Sequence, residues 1–233
     1  MPSSIQAAAV QQMIARSYLF VPGDRPDRFD KACSTGADMV ILDLEDAVPP
    51  ARKSEARAAI GNWLSSGKEI VLRINADTTE WFRDDLHLAR VPGVAGIILP
   101  KAERIDRALQ TICADDGKFL LPLIETAQGF ANARALASAP GVQRMLFGTL
   151  DFQMDLGIDG EGEELAYYRS EIVLISRLAE IQPPVDGPCT ALDDAESKGA
   201  AVALDGRMVD RPVILKAEQI VREAARRKIG ASP

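Results

Sequence analysis

Glu125 and Asp151 each stand just past a short apolar run, in "LLPLIETAQGF" and "LFGTLDFQMDLG". Two such carboxylates, with no histidine or thiol beside them, form a hard oxygen site. Mg²⁺ suits it, with water and substrate filling the remaining positions. On spacing alone a structural ion pair is an equal reading. Arg73, in "VLRIN", is a cation at the end of another apolar run. Its planar fork suits a carboxylate or a developing enolate. A salt bridge from Arg73 to Glu45 or Asp46 is compatible with that role. Lys101, in "ILPKAE", could be a Schiff-base amine, but an ion pair at the rim of a site is the more expected state.

The densest acids lie in "ILDLEDAVPP", which carries Asp43, Glu45 and Asp46. Carboxylates at the end of a buried strand cost free energy unless they are paired. They could hold a metal themselves. In a strand, however, Asp43 and Glu45 share a face and Asp46 points away. The expectation is that Glu45 and Asp46 stand at the rim and hold Arg73 or Lys101 in place. Asp210, before Arg-Pro, reads locally as a helix N-cap.

Seven runs could position these groups: 17–21, 38–44, 69–74, 96–100, 119–124, 144–148 and, weakly, 183–189. Stretches with apolar residues at three- and four-residue spacing lie between them. Near-continuous apolar strands alternating with helices imply a parallel sheet covered by helices. The turn after the first strand, "VPGDRPDRF", has no phosphate-cradling glycine pattern, which counts against a doubly wound nucleotide fold. Polar residues follow nearly every strand instead: Gly23, Glu45 and Asp46, Arg73, Lys101, Glu125 and Asp151. A (β/α)8 barrel gathers all its strand ends on one face. In such a barrel the fifth and sixth strand ends, with Glu125 and Asp151, are neighbours. No eighth apolar run is apparent before a final helix expected at about 210–228.

The formal net charge is −7, which argues against non-specific nucleic-acid binding. No apolar stretch is long enough for a bilayer, and the N-terminus lacks the order of a signal peptide, so a cytoplasmic location is expected. Cys33, Cys113 and Cys189 are widely spaced and read as reduced thiols. His87 is the sole histidine, so a catalytic triad or a multi-histidine metal centre has little to work with. An exposed helix position is expected for it.

"RSYLFVPGDRPDRFDKA", "ADMVILDLEDAV", "VLRIN", "ILPKAE", "LIETAQG" and "LFGTLDFQMDLG", in this order, resemble the citrate lyase beta-subunit-like proteins of the HpcH/HpaI aldolase superfamily. The resemblance covers about residues 16–194 and resumes at "LDGRMVDRPVILKAE". It implies a TIM barrel, Mg²⁺ and carbon–carbon lyase chemistry on an acyl-CoA or acyl-carrier thioester. Glu125 and Asp151 then resemble the metal ligands. Arg73 resembles the enolate-stabilising residue, with Glu125, Gly23 and Lys101 also facing substrate. Asp210 resembles a carboxylate that reaches a neighbouring subunit's site, which implies a trimer or hexamer. The implied organisation is an extension over 1–15, a barrel over 16–194 and a C-terminal lid and helix over 195–233. The superfamily's pyruvate aldolases use a histidine that this chain lacks at a matching place. A malate-synthase-like condensing enzyme, a thioester hydrolase and a degenerate assembly subunit are the alternatives.

The resemblance also implies one more strand and helix between "ALDDAES" and "LDGRMVD", where this chain runs straight across. On the order of 30 residues or more are missing. A barrel without its eighth strand leaves two edges and an exposed core. A segment left out of the sequence is therefore more expected than a true seven-stranded protein. An intact mass near 25.2 kDa would refute that expectation.

Overall fold

The structure is a computed structural model. It describes residue 15 and residues 17–65, 67–159 and 163–186, with the backbone of 201–204 and 207–210. The expected extension, apart from residue 15, and the final helix lie outside the described residues.

Strands and helices alternate as β1 (Tyr18–Pro22), α1 (Phe29–Cys33), β2 (Met39–Asp43), α2 (Lys53–Leu64), β3 (Ile70–Arg73), α3 (Phe82–Ala89), β4 (Val94–Leu99) and α4 (Arg107–Asp116). They continue as β5 (Phe119–Ile124), α5 (Ala127–Ala131), α6 (Ala133–Ala137), β6 (Leu146–Phe147), α7 (Thr149–Leu156), α8 (Glu163–Leu178) and β7 (Val185–Asp186). The seven strands form one parallel sheet in sequence order. All seven apolar runs became strands, although β6 and β7 are only two residues long.

Strand alternation sorts side chains into two layers. Ile41, Val71, Ile98, Leu121, Leu123 and Leu146 pack together inside the curl, with Tyr18 and Phe20. Their neighbours Leu42, Leu72, Ile97, Leu120, Ile124 and Phe147 face outward onto Ile60, Leu109, Leu136, Phe152 and Ile172 of the helices. Burial on both faces is why each strand reads as a continuous apolar run. Arg144, just before β6, shows how far the sheet curls. It donates to Tyr18 Oη at 3.0 Å, to Ala15 O at 2.9 Å and to Pro183 O at 2.7 Å. The first strand thus comes round to the sixth and seventh. No β7–β1 ladder forms among the described residues.

The hairpin after β7 departs from expectation. Ala201–Leu204 is a strand, β8, paired antiparallel with β9 (Arg207–Asp210) and separate from the parallel sheet. Asp210 therefore ends a strand, and the residues that a helix N-cap at Asp210 would precede lie outside the described residues. Asp205-Gly206 between two apolar runs is a two-residue hairpin signal.

His87 is exposed on α3, as expected. Cys33 and Cys113 are free thiols, and burial pushes the Cys113 thiol up to about 11, with Lys118 opposing and Asp116 adding. At pH 8 that leaves about one thiolate in a thousand. Cys113 should then label with a disulfide reagent at least ~10-fold more slowly in the native protein than in urea, read on its peptide by mass spectrometry. Equal rates would show that the thiol is open. No helix among the described residues is long and apolar enough to cross a membrane.

Candidate active site

Arg73 ends β3 directly opposite Asp43, which ends β2 in register with it. The guanidinium grips Asp43 with two bonds, Nε to Oδ1 at 2.7 Å and Nη2 to Oδ2 at 2.5 Å. Asp43 is fully buried, and its oxygens also accept from the amides of Glu45 at 2.8 Å and Ala47 at 3.3 Å. The third nitrogen of Arg73, Nη1, lies 3.3 Å from Glu45 Oε2. The Arg73 guanidinium stacks 5.0 Å from the Phe20 ring centroid, at the top of the interior. Burial alone would lower the Arg73 pKa, but Asp43 and Glu45 outweigh it and hold it well above its usual range.

Asp43 is the partner that sequence reasoning missed for Arg73. The strand stops at Asp43, so the next residues turn rather than alternate. That turn carries Glu45 and Asp46 together to Lys101, whose Nζ lies 2.6 Å from Glu45 Oε1 and 3.5 Å from Asp46 Oδ2. Glu45 bridges both cations, whereas Asp46 meets only Lys101.

Lys101 follows β4 by two residues and has φ of 47°, a left-handed conformation that is uncommon for a side-chain-bearing residue. Its amide donates to Glu125 Oε1 at 2.7 Å, and its Nζ lies 4.0 Å from Asp151 Oδ1. One residue therefore touches both expected metal ligands. Burial would lower the Lys101 pKa, but Glu125, Glu45, Asp46 and Asp151 raise it well above the ordinary lysine range. Lys101 thus sits in an ion-pair cluster with Glu45 and Asp46.

Glu125 stands immediately after β5 and is buried. Burial, then Asp151 and Glu45, push its carboxyl well above the usual range, against the pull of Lys101 and Arg73. Asp151 lies in the first turn of α7 after β6. Gly148, between β6 and α7, keeps this corner open: a Cβ there would sit 2.6 Å from Glu125 Oε2. Gly23 has a packing role, because a Cβ would meet Asp43 O at 2.7 Å and Ile60 Cδ1 at 2.9 Å. Its amide donates to the same Asp43 carbonyl. Asp210 has only its backbone described.

A model of the HpcH/HpaI aldolase/citrate lyase family matches residues 16–212. The chain belongs to this family. A citrate lyase subunit beta-like protein of Deinococcus radiodurans is 32% identical over 219 residues, covering 85% of this chain and 76% of the relative. A (3S)-malyl-CoA thioesterase of Cereibacter sphaeroides is 31% identical over 212 residues, with 86% and 74% covered. Among solved structures, the citrate lyase beta subunit of Mycobacterium tuberculosis with oxaloacetate and magnesium superimposes with a TM-score of 0.62 at 32% identity, covering 72% of this chain and 76% of that one. The same organism's CitE with magnesium, acetoacetate and coenzyme A gives 0.62 at 26% identity, with 91% and 99% covered. The alignment to the citrate lyase subunit beta of Leuconostoc mesenteroides subsp. cremoris runs over 286 positions, more than the whole 233-residue chain. Residues of that relative therefore face gaps inside the alignment.

Among the described residues no three His, Cys, Asp or Glu side chains are grouped as a ready metal cage. Mg²⁺ does not require one, since it is commonly held by one or two carboxylates with water and substrate oxygens. The charges fit a divalent cation. Asp43, Glu45, Asp46, Glu125 and Asp151, when ionised, outnumber the two cations they meet, Arg73 and Lys101.

Proposed function

We propose that this chain is a Mg²⁺-dependent carbon–carbon lyase that cleaves a citryl-, malyl- or citramalyl-type thioester to an acetyl thioester and an oxo acid. The observation that carries the reading is Arg73, a buried and pre-oriented guanidinium at the strand ends where Glu125 and Asp151 also stand. Magnesium complexes of the similar Mycobacterium tuberculosis proteins support the choice of cation.

Glu125 and Asp151 would hold the ion, which would supply Lewis-acid polarisation of the oxo or hydroxy acid. Arg73 keeps part of its fork for the enolate oxygen that develops as the C–C bond breaks, and Asp43 fixes the plane of that fork. Lys101 adds a fixed positive charge at the rim, and Gly23 lets the first loop lie close over Asp43. Asp210, at the end of β9, is the candidate for moving the proton at the enolate carbon, supplied by a neighbouring subunit. A trimer or a hexamer is the proposed assembly.

Incubation of the protein with malyl-, citramalyl- and citryl-CoA tests this reading. Acetyl-CoA and an oxo acid should appear with Mg²⁺ and stop with EDTA; no cleavage of any member would refute it. Relatives described as (3S)-malyl-CoA thioesterases favour a second reading, hydrolysis at the same site. Free CoA and intact malate as products, without acetyl-CoA, would select hydrolysis.

Gly148→Ala probes the corner separately. The glycine has φ of −89°, so alanine suits the backbone. Its methyl collides with Glu125, and the Mg²⁺ concentration for half-maximal activity should rise by about 10-fold or more, as a displaced ligand implies. Unchanged Mg²⁺ dependence would show that Glu125 does not hold the ion in this pose.

A further inference from the structure

Lys53 is an unexpected residue to find where it is. It is the first residue of α2 and is buried. A cation at a helix N-terminus opposes the helix dipole, and removal of an ammonium from water costs further free energy. No carboxylate among the described residues lies within ion-pair distance of it. Helix stability therefore does not explain its presence.

Its contacts do. Lys53 Nζ donates to Leu44 O at 2.6 Å and to Glu45 O at 2.7 Å, and lies 5.1 Å from the Trp81 ring centroid. The two carbonyls belong to the turn that begins where β2 stops. Leu44 N donates to Arg73 O at 2.8 Å, and Glu45 O also accepts from Val48 N at 3.0 Å. The same turn presents the Glu45 carboxylate, whose two oxygens meet Arg73 and Lys101. Glu45 Oε2 has no hydrogen-bond partner of good geometry, so its aim at Arg73 rests on the backbone beneath it and on the Lys101 bond to Oε1.

We propose that Lys53 is a positioning residue for the reaction centre, pinning the carbonyls of Leu44 and Glu45 so that the Glu45 carboxylate bridges Arg73 and Lys101. This rests on the lyase reading for its catalytic consequence, but the pinning itself can be measured without turnover. Side chains held by such supporting contacts lose rate steeply when they shift by about 1 Å, on the order of 100-fold.

Three substitutions in the full chain test it: Lys53→Met, Lys53→Arg and Glu45→Gln. In Lys53→Met, hydrogen exchange at the amides of Glu45 and Ala47 should accelerate while β4 and β5 keep wild-type protection. Its kcat for Mg²⁺-dependent thioester cleavage should fall by roughly 10- to 100-fold, with KM within about threefold of wild type. Lys53→Arg, which still donates to two carbonyls, should recover much of the loss. In a Glu45→Gln background, Lys53→Met should cost less than about twofold more, because residues acting through one contact are not additive.

Wild-type turnover in Lys53→Met, or losses that multiply with those of Glu45→Gln, would overturn the proposal. So would uniform acceleration of exchange across the sheet, which marks a general stabilising role. If the wild type itself cleaves no thioester, the lyase reading fails. The exchange result then decides alone: local acceleration at 45 and 47 supports the pin, and unchanged exchange there refutes it.

Discussion

Arg73→Ala should abolish thioester cleavage and also lower the melting temperature steeply, by roughly 6–20 °C. Arg73 is only 6% exposed, and its partner Asp43 is 0% exposed. Removal of one member of a buried pair leaves the other charge uncompensated, at a cost of about 3–5 kcal/mol. For a chain of this size each kcal/mol moves the midpoint by about 2–4 °C. From the sequence alone, with Arg73 treated as a substrate-facing group, the same variant would be expected to stay fully folded. The bidentate grip on Asp43 changes that expectation.

Two companion variants separate catalysis from stability. Arg73→Lys keeps a cation near Asp43 but loses the fork, and its kcat should fall by about 100- to 1,000-fold, as for loss of an oxyanion donor. Asp43→Asn combined with Arg73→Ala removes the stranded charge, so it should melt higher than Arg73→Ala while remaining as inactive. Thermal melts and a coupled acetyl-CoA assay check all three. Near-normal cleavage by Arg73→Lys would remove Arg73 from the enolate role. A double variant no more stable than the single one would show that the pair is not an isolated buried ion pair.

Sheet topology was legible because both faces of each strand are buried. β2, β3, β4 and β5 carry no polar side chain before Asp43 and Arg73, which end β2 and β3. That also marked the strand ends where Arg73, Lys101, Glu125 and Asp151 stand. What stayed hidden depends on where regular structure stops. Alternation along β2 put Asp43 and Glu45 on one face, but β2 ends at Asp43 and the turn then decides the directions of Glu45 and Asp46. The Asp43–Arg73 pair needs the register of two neighbouring strands, which composition does not carry. "TAQGFANARALAS" reads as one helical stretch, yet it forms two five-residue helices that meet at Asn132. Asn132 donates its side-chain amide to Glu103 O at 2.7 Å, a contact made 29 residues away. The β8–β9 hairpin has a local signal, Asp205-Gly206 between two short apolar runs, that is independent of the parallel strand pattern.

Glu125→Gln should make the metal-free protein no less stable at neutral pH, and more stable if the carboxylate repulsion is large, while removing its response to Mg²⁺. Glu125 is buried beside Asp151 and Glu45, and its carboxyl is held well above the ordinary 4.5. A raised folded-state value means that the fold prefers the protonated form. The associated stability is fully present below about pH 4.5 and is lost as pH rises through the folded value. Metal-free wild type should therefore lose stability from the acid side toward neutrality through this group, and the glutamine variant should lack that component. Glutamine keeps an oxygen that can accept from the Lys101 amide, so the local backbone need not move. Mg²⁺ should raise the wild-type melting temperature increasingly with pH, because it binds the ionised carboxylates and displaces the proton. Scanning calorimetry from about pH 5 to 8, with Mg²⁺ and with EDTA, measures both effects. A Mg²⁺-induced shift that survives in Glu125→Gln would move the metal away from this corner. A variant that melts well below wild type in EDTA would show instead that the ionised Glu125 contributes net stability through Lys101 and Arg73.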